Sequence, residues 1–206
     1  SRINENTQPQ NIFNYNQQVL SSYFSSDWSF NNDIGLKTGV RYEFTMISGD
    51  FKGNEYGNIL PNITISKNFS KTKSLKLSYN NRILRPGIQN INPNIIRNND
   101  YSTTKGNPGL TPANANQIEI SYNQFGRKYQ GSYNIYIKNT NDIIESYSRI
   151  INGDEVKKYE NIGASTNYGF NYFGSLRFDK FNLRTGFNLY QYKGSGIIDN
   201  QEISLT

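Results

Sequence analysis

The stretch Ile34-Gly35-Leu36-Lys37-Thr38-Gly39-Val40-Arg41-Tyr42-Glu43-Phe44-Thr45-Met46 decides the fold. Side chains of an extended strand point alternately to its two faces. Ile34, Leu36, Val40, Tyr42, Phe44 and Met46 therefore share one face, and Gly35, Lys37, Gly39, Arg41 and Glu43 the other. The same period of two recurs along the chain. Leu75, Leu77 and Tyr79 alternate with Lys76 and Ser78, and Ile118, Ile120 and Tyr122 with Gln117, Glu119 and Ser121. Phe181, Leu183, Phe187 and Leu189 alternate with Asn182, Arg184, Asn188 and Tyr190. Weaker versions occupy 13–23, 59–69, 133–137 and 168–172, and no segment carries a helical stripe. The chain reads as all-β.

The connections between these strands sort into two kinds. Four are tight, at 27–32, 70–73, 125–128 and 178–180. Between them lie polar connections rich in Gly, Asn and Pro, at 49–57, 85–115, 151–154 and 194–200. Of these only 151–154 is short, and the strands flanking it are unusually long. A transmembrane barrel segregates its connections in this way, with short periplasmic turns and longer extracellular loops. A soluble sandwich has no reason to.

Composition supports the same reading. Hydrophobic residues make up 34% and mean hydropathy is −0.74, yet charged residues are only 18% and aromatics reach 14%. Disordered chains show high charge with few aromatics, so the polarity here belongs to a folded chain with one wet face. There is no run of apolar residues long enough for a membrane helix, but a barrel strand meets lipid with alternate residues only. Ser1-Arg2-Ile3-Asn4 has no apolar leader core, and a chain opening this way reads as a fragment or a processed product. The absence of Cys and His removes thiol nucleophiles, Ser-His triads, disulfides and the usual soft metal sites, so no enzyme, catalytic residue or cofactor is expected. A net charge of +6 suits an anionic partner such as lipopolysaccharide. The Lys and Arg residues are scattered, however, which favours a solvated surface over a nucleic-acid track.

The parsing yields about nine strands and no closure, so residues 1–206 are expected to be part of a larger barrel domain. The apolar parity should face lipid. On the last clear strand this puts Leu183, Phe187 and Leu189 outside, Leu183 and Phe187 near the midplane, and Arg184 and Asn188 inside. Tyr23, Phe24, Trp28, Phe30 and Phe178 lie near the tight turns, where an interfacial girdle is expected; stacking platforms for single strands of nucleic acid are the weaker alternative.

The most specific passage is Ser78-Tyr79-Asn80-Asn81-Arg82-Ile83-Leu84-Arg85-Pro86, followed by Ile91-Asn92-Pro93 and by Gly106-Asn107-Pro108-Gly109-Leu110-Thr111-Pro112. Physically, Arg85-Pro86-Gly87 ends a strand, because Pro lacks the ladder donor. The later prolines restrict a long loop and lower the entropy lost on ordering it. In order and spacing the passage resembles the TonB-dependent receptors, which carry an S-Y-x-x-R strand, an R-P bend and a G-N-P-x-L-x-P-E segment. Ile91-Asn92-Pro93, with Tyr159-Glu160-Asn161-Ile162-Gly163 and Asn167-Tyr168-Gly169, is similar to the outer-membrane barrel family common in the Bacteroidota. Ala113 stands where the pattern has an acid. Gly106, Asn107, Pro108, Leu110 and Pro112 are thus the family-motif loop. Arg82, Arg85 and Asn92 are the candidates for facing the lumen or a plug; loop architecture alone is the blander reading of the same residues.

The resemblance implies an integral outer-membrane barrel of roughly 22 strands, holding an N-terminal plug and taking up a substrate with energy delivered by TonB. Its partners would be outer-membrane lipid and lipopolysaccharide, its own plug and remaining strands, TonB, and a surface lipoprotein. The alternative is a non-transporting structural or assembly subunit of an outer-membrane complex. A soluble adhesin would need wet faces on both sides. Two other constellations are weak. Asp50, Asn54 and Glu55 lack the spacing of a Ca²⁺ loop, and Asp142, Asp154 and Glu155 lack any companion groups for hydrolysis.

Overall fold

The computed structural model describes residues 13–31, 33–198 and 201–205, the last five by backbone alone. The elements are β1 (Tyr15–Phe30), β2 (Ile34–Gly49), β3 (Asn54–Ser70), β4 (Lys73–Leu84), a single helical turn α1 (Ile88–Ile91), β5 (Ile95–Asn99) and β6 (Ser102–Lys105). They continue with β7 (Ala113–Phe125), β8 (Tyr129–Ile151), β9 (Asp154–Arg177), β10 (Asn182–Ile198) and β11 (Gln201–Leu205). Nine strands form one meander in the order β1-β2-β3-β4-β7-β8-β9-β10-β11, with β5 and β6 off the path. The all-β reading with about nine strands of an antiparallel sheet is what the chain adopts.

Strand ends differ from the sequence reading in instructive places. β1 runs on to Phe30, so the turn expected at 27–32 starts later; Asn32 lies outside the described residues, as do Ser1–Asn4. The reason is register: Asp27 lies opposite Lys37, with Nζ 3.7 Å from the carboxylate, and Trp28 lies opposite Leu36. β3 begins at Asn54, shortening the connection expected at 49–57, and β7 begins at Ala113. β8 and β9 meet at residues 152–153, where Asn152 and Gly153 both take positive φ, the backbone a two-residue hairpin turn requires. β10 continues to Ile198, well past the expected start of a loop at 194.

The register sorts side chains into two faces. Phe24, Val40 and Pro61 fall on one cross-strand row, Trp28, Leu36 and Ile65 on another. Further along, Leu77, Ile120, Ile135, Phe170 and Leu189 form a continuous row across five strands. Below it runs an aromatic row in which the Tyr122–Tyr133, Tyr133–Tyr172 and Tyr172–Phe187 rings approach to 6.1, 5.1 and 5.4 Å. The opposite face carries Glu43, Asn58, Asn62, Asn80, Glu119, Asn134, Asn171 and Asn188 in cross-strand pairs. Large apolar side chains on the first face are left exposed to the surroundings, as in a sheet that borders hydrocarbon.

The height of the apolar band fits a bilayer. On β9 it runs from Leu176, next to the charged turn Arg177-Phe178-Asp179-Lys180, up to Thr166, opposite Asn139 and Lys193. Ten steps of about 3.3 Å, tilted by about 40°, rise about 25 Å, the usual height of a barrel's outward apolar band. Phe187 then sits near mid-height. Leu183, opposite Leu176, sits at the lower rim rather than near the midplane. The Phe178 and Phe181 rings meet at a tilt, 4.6 Å apart, beside that rim, and Trp28 and Phe30 end β1. Tyr23 lies opposite Arg41, on the polar face, and Phe24 lies well inside the band. This placement predicts a graded response in refolding measurements. Phe187→Arg should cost about 2–4 kcal/mol, Leu183→Arg about 1 kcal/mol or less, and Asn188→Arg little. Equal costs at Phe187 and Asn188 would reverse the faces.

Candidate functional site

At the end of the sheet that carries the long connections, the polar face is covered. Along β2, Glu43, Thr45 and Ile47 are buried at 6%, 0% and 4% exposure, while their neighbours on the other face are not. The cover is the chain 85–112. Pro86 breaks the β4 ladder, and α1 closes with the Asn90 and Asn92 amides donating to the Gly87 and Ile88 carbonyls at 2.9 and 3.1 Å. That turn drives Ile91 into a small core with Leu110 and Ile47, against Tyr15, Phe51, Tyr56, Ile144 and Tyr159. Side chains from β1–β3 and from β8–β9, far apart in the sheet order, thus meet through one loop.

The family-motif residues build this cover. The Gly106 amide donates to the Asn92 carbonyl at 2.8 Å. A Cβ at Gly106 would stand 2.6 Å from the Asn92 backbone and 2.7 Å from the Asn90 carbonyl, so only glycine fits. Asn107 donates Nδ2 to the Tyr159 carbonyl at 3.2 Å, and its Oδ1 accepts the Gly109 amide at 2.9 Å, a local turn that asparagine supports. Pro108 is half-buried, while Pro112 and Leu110 are buried. The Asn54 side chain donates to the Leu110 carbonyl at 3.1 Å. Asn161 works like a length of strand: its Oδ1 accepts the Thr111 amide at 2.9 Å, and its Nδ2 donates to the Thr111 and Asp142 carbonyls at 2.8 Å each. Asp142 sits there at positive φ, at a register shift between β8 and β9. Beyond, β5 and β6 form a hairpin, and β6 adds in parallel to β9 from Ser102↔Glu155 to Lys105↔Lys158.

Beneath this cover lies a charged cluster. Glu43 receives Arg85 through Nη2 and Arg41 through Nε, the latter at 2.5 Å. Arg85 Nε also reaches Thr45 Oγ1 at 3.4 Å, and Arg41 donates to Ser21 Oγ at 3.2 Å. Tyr15 and Tyr56 lie beside Arg85. Asn58 is opposite Glu43 in register, and its Nδ2 is buried with no partner among the described residues. Two guanidinium groups share one carboxylate, and donors outnumber acceptors. Such a patch can take a further acceptor from whatever fills the interior.

The structure brings Arg85 into this cluster. Arg82 is exposed, on the polar face opposite Ala115. Asn92 turns inward on its own loop, its Oδ1 accepting the Asn94 amide at 3.0 Å. Ala113, where the family pattern has an acid, is buried at 1% exposure. Sequence reasoning missed Glu43, whose partner is 42 residues away, and the role of Asn161, although the motif holding it was visible. Asn54 spends its amide on the loop, and among the described residues no group of three or more acidic side chains gathers as a metal site. Asp142 lies at the bulge, whereas Asp154 and Glu155 open β9 at the far tip of the hairpin.

The family model for outer membrane β-barrel proteins matches residues 1–205. The chain belongs to the outer membrane protein β-barrel family. It is therefore an integral outer-membrane chain, and its apolar face meets lipid. The FrpB iron transporter from Neisseria meningitidis (F3-3 variant) is 15% identical, with a TM-score of 0.70 over 92% of this chain and 27% of that one. The siderophore receptor PiuA from Acinetobacter baumannii is 14% identical, TM-score 0.61, over 93% and 28%. The ferric yersiniabactin uptake receptor FyuA from Yersinia pestis is 11% identical, TM-score 0.61, over 90% and 32%. These likenesses show the fold alone, and this chain spans about a third or less of each of those proteins. A search of curated proteins finds no match.

Within this outer-membrane barrel the charged cluster should dominate the anchoring of the cover. Glu43→Ala leaves two arginines facing each other without their carboxylate and should cost about 3 kcal/mol. Arg41→Ala removes a half-exposed partner and should cost about 1 kcal/mol or less. Trypsin cleavage after Arg97 in the folded barrel reads the opening of the cover. It should accelerate in the order Glu43→Ala, Arg85→Ala, Arg41→Ala; no change for Glu43→Ala would mean the cluster does not hold the loop.

Proposed function

We propose that this chain is the substrate-facing part of the barrel of an energy-coupled outer-membrane receptor. The observation that carries the reading is the cover 85–112, held over a polar interior wall by the Glu43 cluster and by Asn161. A barrel that only spans the membrane has no need for an ordered roof on its lumen. A receptor needs one, because substrate must be held at the outer mouth before it is admitted. The proteins of similar fold include an iron transporter and a siderophore receptor, which supports uptake as the activity class and leaves the substrate open.

In this reading the remaining strands close a barrel of roughly 22 strands, as the edges of β1 and β11 left unpaired among the described residues require in hydrocarbon. A plug fills the interior and meets Arg85 and, lower down, the row of luminal amides. Arg82 and the motif loop face the mouth. TonB supplies the work from the periplasmic side, and a surface lipoprotein sits over the long loops. The motifs around Ile91-Asn92-Pro93 and at 159–163 support a barrel of the Bacteroidota type. The protein is neither an enzyme nor a nucleic-acid binder.

The test uses the full-length protein in its own outer membrane. A cysteine at Asn99 should react with an impermeant thiol reagent on intact cells, and one at Arg127 only after the outer membrane is opened. A site-specific cross-link between TonB and the segment preceding the barrel should form, and collapse of the proton gradient should abolish the accumulation of whichever substrate the cells take up through it. Inverted labelling would overturn the topology. A full-length protein without a plug, or with no cross-link to TonB, would replace uptake by the structural or assembly role.

A further inference from the structure

The apolar face is not uniform. Across β7–β10, in the half of the band nearer the long connections, it opens into a groove of about 480 Å³, walled by Ile118, Ile120, Ile135, Ile137, Phe170 and Leu189. Directly above, one row up the same strands, lies a polar concavity of about 390 Å³ that includes Asn139, Asn141, Thr166, Lys193 and Ser195. Register makes the two continuous: Ile137↔Tyr168↔Gln191 is the last row of the groove, and Asn139↔Thr166↔Lys193 is the first row of the shelf. The shelf side chains point to the lipid side, because they share the parity of Ile135, Ile137 and Leu189.

A generic barrel wall needs only apolar side chains within the band and aromatic ones at its rims. This wall has carboxamides and hydroxyls instead, along the row Asn81, Asn116, Asn139, Thr166, Lys193. Asn81 donates to Asn116 at 2.7 Å and Thr166 to Asn139 at 2.8 Å, which fixes the amides in place. Asn139, Asn141, Lys193 and Ser195 remain exposed. Exposed amides and hydroxyls match the hydroxyls of a sugar, and an ammonium matches a phosphate. With the long connections outside the cell, groove and shelf lie in the outer leaflet.

We propose that this wall is a binding site for one molecule of an outer-leaflet phosphoglycolipid. One acyl chain lies in the Ile118–Ile135–Leu189 groove, the sugar rests on Asn139, Asn141 and Thr166, and a phosphate meets Lys193. The site rests on the membrane topology and is independent of whether the barrel takes up a substrate. A phospholipid would fill the groove but leave the amide shelf unused.

The experiment titrates the full-length protein, purified in detergent and stripped of lipid, with bisphosphorylated lipid A and separately with phosphatidylethanolamine, reading bound lipid by native mass spectrometry. The wild type should bind one lipid A at least about tenfold more tightly than phosphatidylethanolamine. Asn139→Leu should weaken lipid A by about tenfold and leave phosphatidylethanolamine unchanged, and Lys193→Glu should weaken lipid A by about tenfold and phosphatidylethanolamine, which has one phosphate and no sugar, by less. Lys105→Glu, of the same charge change but on the hairpin β5–β6, should leave both unchanged. Both shelf positions are exposed, and heat-resistant migration on gels checks that each variant is folded. Equal affinity for the two lipids, or equal lipid A binding by wild type and both shelf variants, would overturn the site. So would an equal loss in Lys105→Glu, which would reduce the effect to net charge.

Discussion

Hydrocarbon offers a peptide group no hydrogen bond, and each unpaired one costs several kcal/mol there. Everything else in this chain follows from that constraint. The backbone must be paired strand to strand for the whole height of the bilayer, which is why β1 to β10 on the main path pair without a break across the apolar band. Once the ladder is fixed, side chains have only two directions available. The lipid direction selects Ile, Leu, Phe and Tyr, and the inner direction is free to be polar. A low mean hydropathy and a membrane location are then compatible, because half of each strand never meets lipid. The ladder shows irregularities beside the band, at Asn68/Ser70 near a tight turn and between Thr140 and Ile144 above the outer rim. At both places water can serve the backbone groups left unpaired.

Above the rim the constraint is lifted, and the chain uses the freedom. β8 and β9 continue for about 40 Å of strand past Asn139 at about 3.3 Å per residue, and Ile144 and Tyr159 on this extension pack against the cover. The bulge at Asp142 turns this extension, and Asn161 then meets the motif loop with a side-chain copy of a strand's hydrogen bonds. The cover has few apolar residues of its own. Ile91 and Leu110 suffice because they are inserted into a site lined from both ends of the sheet. Its remaining order comes from backbone carbonyls and amides answered one by one by Asn54, Asn107 and Asn161. Each such bond is worth only about 1 kcal/mol net, so beyond the Glu43 cluster the cover is held by the number of these contacts rather than by a deep core.

How much of this was readable in advance follows from range. Period-two alternation is local, so the strands and the polar and apolar parities were legible from residues a few positions apart. Of the four connections expected to be long only 85–115 is, because the strands flanking the other three run on into them. Strand ends were less so. Asp27 looks like a turn residue in sequence, and only Lys37 across the ladder explains it as an inner-face partner. The hairpin β5–β6 was invisible, since Ile95-Ile96-Arg97-Asn98-Asn99 has no alternation and its parallel partner on β9 lies some fifty residues on. The motif loop was recognisable as a motif, but its physical role needs Asn161 and Tyr159, and nothing in the loop names them. Arg85 was singled out for ending a strand. Its carboxylate lies on β2, on the other side of β3, and no local rule connects the two.

The Glu43 cluster shows why a charge is placed where an apolar residue would pack as well. Thr45 and Ile47 next to it are fully covered, so a leucine at position 43 would fit the same environment. A buried ion pair is often no more stabilising than an apolar replacement, and stability alone does not account for it. What the carboxylate adds is direction. It accepts two guanidinium groups along defined lines, one from its own strand and one from the loop base, so that Arg85 and the chain leaving it have a single seating. Apolar contacts between Ile91, Leu110 and Ile47 would allow the loop to slide by a residue at little loss, whereas the Arg85–Glu43 pair would not. With Asn161 fixing the other end at Thr111, the loop is pinned at both ends and its middle, the hairpin β5–β6, is carried outward on β9. The result is a loop whose inner surface is seated at two defined points and whose outer surface is displayed on strands.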